Sequence, residues 1–267
     1  MKDGSPQGLG GKRIVVTRAA HQALAFSRKL EQCGARVLHL PLITITATQE
    51  PDCPIDLEIF DWLLLTSANA VHYLDLCLKN TGKSFENLSH CRVAVIGRAT
   101  QKALASHGVN AEVLPEKHVA DALIKALFTA EHHPAGKHVL YPKGSLASHE
   151  IECALKIRGM SVTSFICYET LFRPVPPEEI KLLAAFNPDA VTFFSPSAVQ
   201  SFVTAGLQRI VTVGTRHTVY ASIGPVTTKS IQEAGLSPVI ESPRQIEDNL
   251  IQTLGAYFVR KNYNTIN

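Results

Sequence analysis

The sequence lacks long hydrophobic runs and a large excess of either charge, and each absence excludes a class of protein. No apolar run reaches about 18 residues, the length that suggests a membrane-spanning helix. The 267 residues carry 26 Lys and Arg against 23 Asp and Glu, a net charge of +3 that does not indicate a nucleic-acid binder. A local basic cleft for an acidic small molecule stays compatible with this balance. Hydrophobic residues at 45% and charged residues at 18% are typical of a globular protein, here long enough for two domains.

Cysteine pairs and targeting signals are also missing. The six cysteines show no CxxC pair and no metal-ligand spacing, so we expect reduced, packed thiols in a cytoplasmic protein. They are Cys33, Cys53, Cys77, Cys91, Cys153 and Cys167. The polar, glycine-rich first twelve residues, MKDGSPQGLGGK, resemble neither a signal peptide nor a transit peptide, and we expect them to form a disordered lead-in.

Familiar catalytic motifs are absent as well. The chain has no P-loop, no GxSxG elbow, no HExxH and no GxGxxG between a strand and a helix. His132, His133 and His138 lie close together in sequence, but this spacing favours a solvated loop over a metal site. Function must therefore be sought in the arrangement of the whole chain.

Short buried strands alternate with amphipathic helices. The runs KRIVVTR (12–18), DWLLLT (61–66) and AVTFF (190–194) are typical of buried parallel strands, and each is followed by helical spacing. Ser67 is a candidate N-cap for the helix that follows the second run. This alternation predicts an α/β protein with parallel sheets.

The whole pattern occurs twice. AVIGRATQKALASHG (94–108) matches ASIGPVTTKSIQEAG (221–235), with the three positions Gly97, Thr100 and Gly108 repeated at a constant offset of 127. GKRIVVTRAA (11–20) matches GKHVLYPKGS (136–145) at an offset of 125. The chain is therefore predicted to be a tandem duplication that forms two similar parallel-sheet α/β domains, facing each other across a cleft.

The domain boundaries follow from two extended connectors. Each connector comes after the second strand of its repeat, which suggests that the chain changes domain there. We expect residues 1–40 and 175–267 to form a discontinuous first domain and residues 48–164 to form the second. Residues 41–47 and 165–174 would run side by side as a two-stranded hinge.

The candidate site residues are those that directly follow the strands. In open α/β sheets, ligands bind beyond the carboxyl ends of the strands. The set is rich in hydroxyls and small residues, has three cations and is poor in carboxylates, so it suits an acidic ligand. It consists of Arg18, Thr66, Ser67, Gly97, Arg98, Thr100, Lys143, Gly144, Ser145, Ser195, Ser197, Gly224, Pro225 and Thr227.

Two features of this set carry alternatives. Each of the turns at Gly97 and Gly224 aims free backbone amides and the positive end of its helix dipole at one point, which favours a carboxylate or phosphate. The alternative for Ser67, Ser197, Thr100 and Thr227 is that they only cap helices. Tyr168, on the second connector, could project into the cleft as a neutral donor or be a packed aromatic with a satisfied hydroxyl.

In an ordered set of motifs, the chain resembles the uroporphyrinogen-III synthase family. The motifs are YPKG (141–144), YET (168–170), FFSPSAV (193–199) and SIGPVTTKSIQEAGL (222–236), with VTR, LTSANAV and VIGRAT in the first half. The likeness covers nearly everything from about residue 12 to residue 258. No single motif identifies the family, but the complete set in this order does.

The resemblance implies a lyase of heme and tetrapyrrole biosynthesis that needs no metal or organic cofactor. The family cyclises hydroxymethylbilane to uroporphyrinogen III and inverts ring D through a spiro intermediate. It implies two α/β domains with the connectivity described above, and Tyr168 matches a connector tyrosine that is a candidate general acid. A substrate with eight carboxylates accounts for the cationic, hydroxyl-rich set. We expect a cytoplasmic monomer that meets hydroxymethylbilane synthase transiently and contacts neither nucleic acid nor membrane.

Two departures and two rival classes remain. Arg98 after Gly97 and Val226 after Pro225 differ from commoner forms, so backbone roles there are better supported than side-chain roles. A non-catalytic two-domain clamp for an acidic small molecule is the first rival, and the missing export signal argues against it. A nucleotide-sugar transferase is the second, but the chain is short for it and has no acidic DxD pair.

Overall fold

The computed structural model describes residues 8–49, 53–54, 56–212 and 218–266. The chain forms two compact units, Met1–Thr44 with Leu171–Asn267 and Ile45–Thr170. Each unit contains one five-stranded sheet covered by helices. The hinge role of residues 41–47 and 165–174 stays a prediction.

The elements follow one another in the alternating order that the sequence predicts. The strands are β1 (Arg13–Val16), β2 (Arg36–His39), β3 (Ile43–Ala47), β4 (Trp62–Leu65), β5 (Arg92–Val95), β6 (His138–Gly144), β7 (Ser161–Phe172), β8 (Ala190–Phe193), β9 (Val219–Ser222) and β10 (Val239–Glu241). The helices are α1 (Ala20–Gln32), α2 (Ala68–Asn80), α3 (Arg98–Ala105), α4 (Ala120–Ala130), α5 (Glu150–Ile157), α6 (Pro177–Phe186), α7 (Pro196–Thr204), α8 (Leu207–Val211), α9 (Pro225–Glu233) and α10 (Glu247–Ile266).

The strand order confirms the parallel α/β class. The first unit has the order β10-β9-β8-β1-β2 and the second has β3-β7-β6-β4-β5. The pairs β1–β2, β1–β8, β8–β9, β9–β10, β4–β5, β4–β6 and β6–β7 are all parallel. The edge strand β3 runs antiparallel to β7, since the Arg173 amide donates to the Leu42 carbonyl (3.0 Å) and the Thr48 amide to the Cys167 carbonyl (3.4 Å). Such an antiparallel edge is common on parallel sheets.

Both faces of each sheet are buried, which explains why the strands are continuous apolar runs. In β4, Leu63 and Leu65 pack into one core cluster and Trp62 and Leu64 into another. The same alternation divides the residues of β1 between two clusters of the first unit. Helices on both faces supply the other side chains of these cores.

Some expectations from the sequence are corrected. The expected lead-in falls partly on residues 1–7, which lie outside the described residues, but Leu9 is fully buried in a core cluster. Cys153 is exposed and not packed, whereas Cys77, Cys91 and Cys167 are buried. Helices α6 and α8 have no counterpart in the sequence prediction. Where the first unit has β10, the second has only an isolated bridge between Ala94 and Val113.

Candidate active site

Turns at the carboxyl edge of each sheet hold the candidate residues. In the second unit, β4 is followed by Ser67, the N-cap of α2, and β5 by Gly97, the N-cap of α3. In the first unit, Ser195 caps α7 and Gly224 caps α9. The carboxyl ends of parallel strands and the amino ends of helices therefore meet at one edge of each sheet. Such an edge presents amide donors and positive dipole ends, which suit an anion.

Of Ser67, Ser197, Thr100 and Thr227, the residues with a capping alternative, Ser67 is an N-cap and the other three are not. Ser67 Oγ accepts from the Ala70 amide (2.9 Å), and Ser195 Oγ accepts from the Ala198 amide (3.3 Å). Ser197 is not an N-cap; its hydroxyl lies 2.9 Å from that of Ser195. Thr100 and Thr227 are both buried at the third position of their helices, behind glycine N-caps.

Tyr168 is half-buried, with its hydroxyl beside that of Ser67. The two oxygens are 3.0 Å apart, and the ring stacks on Tyr73 with centroids 5.5 Å apart. Either hydroxyl can donate in this pair; when Ser67 donates to Tyr168, the Tyr168 proton is available for another acceptor. Burial raises the pKa of Tyr168, and the Ser67 hydrogen bond only partly opposes this. The phenol is therefore neutral and protonated at ordinary pH.

Gly144 makes room for the Tyr168 ring. A Cβ at Gly144 would lie 2.5 Å from Cζ and 2.7 Å from the hydroxyl oxygen of Tyr168. The register between β6 and β7 shifts at this point, so that Lys143 faces Ile166 but Gly144 faces Tyr168. The Ser145 amide donates to the Tyr168 carbonyl (3.0 Å), which fixes the tyrosine backbone. No side chain larger than hydrogen fits at Gly144 without displacing the ring.

Lys143 is buried and already paired. Its Nζ donates to Glu152, and His149 Nδ1 lies 3.0 Å from the other carboxylate oxygen. Burial alone would raise the pKa of Glu152, but hydrogen bonds from His149, Lys143 and Ser164 lower it to about 2. The sequence predicts Lys143 as a cation for the ligand, whereas here Glu152 neutralises its charge.

The other residues of the second unit's edge differ in exposure. Thr66 is half-buried and hydrogen-bonds the buried Tyr141, and Ser145 and Arg98 are exposed. Gly97 is buried, and a Cβ there would lie 3.1 Å from Cγ of His118. His118 therefore covers the glycine turn.

The first unit's edge repeats several of these features. Arg18 Nη1 pairs with Glu247 (2.5 Å), and the guanidinium lies over the Phe194 ring, 4.7 Å from its centroid. Gly224 is buried, with a Cβ position 2.7 Å from Cγ of Gln245. Next to it Pro225, the first residue of α9, is exposed.

The sequence prediction missed His118 and Gln245, although a signal for both is present. They differ by the same offset of 127 as Gly97 and Gly224, the glycines that they cover. Their neighbours match too, since KHVADAL (117–123) aligns with RQIEDNL (244–250) at that offset. Extending the repeat past the glycine turn would have identified both side chains.

Other features lie away from these edges. A cavity of about 590 Å³ opens among charged side chains at the amino ends of β4 and β5, where Asp61 and Arg92 line it. Within the described ranges, no group of three or more His, Cys, Asp or Glu is placed to hold a metal ion. Over the same residues, no helix has the length and apolar character needed to cross a membrane.

Comparison with known sequences gives a consistent result. A family model described as "Uroporphyrinogen-III synthase HemD" matches residues 25–252. Uroporphyrinogen-III synthase of Synechococcus elongatus is 35% identical over 173 residues, 61% of this chain and 62% of the relative. That of Chlorobaculum parvum is 34% identical over 164 residues, 60% of this chain and 64% of the relative. The chain thus spans less than two thirds of the length of these two relatives. A putative uroporphyrinogen-III synthase of Methanothermobacter thermautotrophicus is 30% identical over 245 residues, 88% of this chain and 94% of the relative.

Solved structures show the same fold. A mutant uroporphyrinogen III synthase from the extremely thermophilic bacterium Thermus thermophilus superposes with a TM-score of 0.60 at 20% identity, covering 94% of this chain and 100% of that one. Uroporphyrinogen-III synthetase from Helicobacter pylori gives a TM-score of 0.62 at 19% identity, covering 90% of this chain and 97% of that one.

Proposed function

Because the chain belongs to the uroporphyrinogen-III synthase family, we propose that it cyclises hydroxymethylbilane to uroporphyrinogen III with inversion of ring D. The observation that carries the proposal is the position of Tyr168, a neutral phenol held between Gly144 and Ser67 at the carboxyl edge of its sheet. The family match favours this activity over the non-catalytic clamp.

The chemistry requires one leaving group and control of one carbon. The terminal hydroxyl takes up a proton supplied by solvent and leaves as water, which gives an azafulvene cation; a proton lost from ring D after the rearrangement restores the neutral pyrrole. Ring D then attacks through its substituted carbon, which forms a spiro intermediate that rearranges to the inverted macrocycle. Tyr168 donates a hydrogen bond to the leaving hydroxyl, and Ser67 supports the developing negative charge on the phenol oxygen. With its pKa raised, Tyr168 polarises the leaving group more than it transfers a proton outright.

The carboxylates of the substrate bind at the helix N-termini. The N-termini of α3 and α9, which Gly97 and Gly224 cap, supply amide donors and positive dipole ends, and the hydroxyls of Thr66, Ser195 and Ser197 add further donors. The exposed Arg98 supplies positive charge, with Ser145 and Pro225 at the same two edges. Arg18 takes part as a cation paired with Glu247. Lys143, buried and neutralised by Glu152, acts by holding the end of β6, and the buried Thr100 and Thr227 act by packing behind the glycine turns. Positioning of ring D contributes more to catalysis than polarisation of the leaving group does, because the unassisted reaction closes the ring without inversion.

Further parts of the proposal concern the whole chain. Residues 41–47 and 165–174 act as hinge strands between domains of residues 1–40 with 175–267 and of residues 48–164. The protein works as a cytoplasmic monomer without a cofactor, and the six free cysteines are compatible with a reducing compartment. Hydroxymethylbilane reaches it from hydroxymethylbilane synthase through a transient contact.

The test supplies freshly generated hydroxymethylbilane, oxidises the products and separates the porphyrin isomers by chromatography. We expect the type III isomer to predominate with the wild-type chain. Tyr168→Phe should lower turnover roughly 10- to 1000-fold while the far-ultraviolet circular dichroism stays unchanged. Type I alone, at the rate seen without protein, would refute the activity. Wild-type turnover in Tyr168→Phe would refute only the role of the phenol.

A further inference from the structure

Glu152 is a buried carboxylate that links the two strands carrying the Tyr168 site. It lies on α5 and accepts from Lys143 at the end of β6 and from Ser164 on β7. Glu152 and Lys143 are each only 7% exposed, and the exposed His149 side chain lies 3.0 Å from the second carboxylate oxygen. The steps proposed for the reaction so far do not use this carboxylate.

The linked strands are the ones whose register shifts beside Tyr168. Between the pairs Lys143–Ile166 and Gly144–Tyr168, Cys167 is an extra residue on β7. Its thiol donates to the Lys143 carbonyl over 3.5 Å. A bulge of this kind redirects the following side chain, and here the redirected side chain is the tyrosine. Lys143 is the last residue of β6 before the irregularity, so whatever holds Lys143 also holds the bulge.

We propose that Glu152 is a positioning residue that acts through Tyr168. This inference rests on the proposed function. Glu152, on α5, binds Lys143 of β6 and Ser164 of β7, and so fixes both strands just before the bulge and keeps Gly144 under the tyrosine ring. Without it, Lys143 would be a buried cation without its carboxylate, and the end of β6 would shift to bring the ammonium to water. The ring would then lose its fixed distance to Ser67.

A double-mutant cycle between Glu152→Gln and Tyr168→Phe tests the proposal. If Glu152 acts through the phenol, Glu152→Gln should lower kcat roughly 10- to 100-fold in the wild-type background, with little change in KM. In the Tyr168→Phe background the same substitution should lower kcat less than about 3-fold, because the group that it positions is already absent.

Glu131→Gln is a matched control, because Glu131 follows α4 and contacts the same sheet at its other end. Glu131 is a buried carboxylate that accepts from Arg92 (2.9 Å) and from Trp62 Nε1 (3.1 Å) at the amino ends of β5 and β4. Its removal should lower stability as Glu152→Gln does. Any effect on kcat should be equal in the two backgrounds, because Glu131 lies at the sheet edge opposite Tyr168.

Every variant is assayed at a temperature where circular dichroism shows that it is fully folded, so that a loss of kcat does not reflect unfolding. If Glu152→Gln does not fold, Glu152→Asp retains the charge with a shorter reach and enters the same cycle, with an expected loss of about 3- to 10-fold that disappears with Tyr168→Phe. Equal losses in both backgrounds would overturn the positioning role and leave a purely structural one. Failure of the wild-type chain to form any type III isomer would instead overturn the proposed function.

Discussion

At the scale of single residues, the Tyr168 position depends on the missing side chain of Gly144. The ring occupies the space of a Cβ, which would lie 2.5 Å from Cζ. We predict that Gly144→Ala displaces the ring, lowering type III formation roughly 10- to 100-fold and the free energy of unfolding by about 1–3 kcal/mol. Isomer chromatography and urea denaturation measure the two effects.

Gly10→Ala is the control for this substitution. A Cβ at Gly10 meets no atom within 4 Å, so the same chemical change should leave both measurements close to wild type. Full turnover in Gly144→Ala would show that the reaction tolerates a displaced Tyr168 ring, and the phenol would lose its proposed role.

The sequence predicts which residues follow the strands, but not which of them have partners. Lys143 and Arg18 stand after strands as expected, yet Glu152 and Glu247 neutralise them. Both carboxylates lie on helices. The apolar periodicity of a helix predicts which of its faces is buried, but it does not predict which residue a polar side chain at the border of that face will contact. The closeness of Tyr168 to Gly144 depends on a register shift, which no local pattern predicts.

At the scale of elements, the attachment of α5 to β6 makes stability sensitive to acid. The pKa of Glu152 is lowered from 4.5 to about 2 in the folded chain, so its stabilisation is complete above about pH 5 and is lost as the pH falls towards 2. We predict that the free energy of unfolding falls over this range, and that Glu152→Gln removes part of the slope. Urea titrations at successive pH values measure it.

Other carboxylates also contribute to the pH dependence of the free energy of unfolding over the same acid range. Burial alone would raise the pKa values of Asp61, Glu131 and Asp189, but hydrogen bonds lower all three. The main donor is Lys137 for Asp61, Trp62 for Glu131 and Arg13 for Asp189. Glu152→Gln should therefore reduce the pH dependence without abolishing it. An unchanged slope in this variant would mean that the Lys143 pair is no stronger in the folded chain than in the unfolded one.

Most elements could be predicted, and the exceptions have local reasons. Ser67 marks the start of α2 as expected, and Gly235 follows α9 with a positive φ of 70°. Helix α6 is not predicted, although Pro177, Glu178 and Glu179 are ordinary signals of a first helical turn. The two copies also differ where the first unit forms β10, because in the second unit Val113 forms an isolated bridge with Ala94.

At the scale of the whole molecule, the duplication could be predicted but the strand order could not. A constant offset reveals two copies without saying which strands pair. Strands buried on both faces are uniformly apolar, so their pattern does not distinguish a central strand from its neighbour. The pairing of β1 with β8, Ile14 with Ala190, joins residues far apart in the chain. The sequence suggests that the chain passes from one domain to the other at the connectors only because both extended segments follow the second strand of their repeat.

The division of the cores predicts which part of the chain folds alone. Both core clusters of the second unit draw only on residues within 45–170, whereas both clusters of the first unit combine residues before 44 with residues after 170. We therefore predict that a fragment of residues 45–170 unfolds cooperatively in urea and gives dispersed amide resonances. A fragment of residues 1–44 should be unfolded, because β1 lacks its partner β8. It serves as the matched control. An unstructured 45–170 fragment would mean that its clusters are insufficient without the rest of the chain.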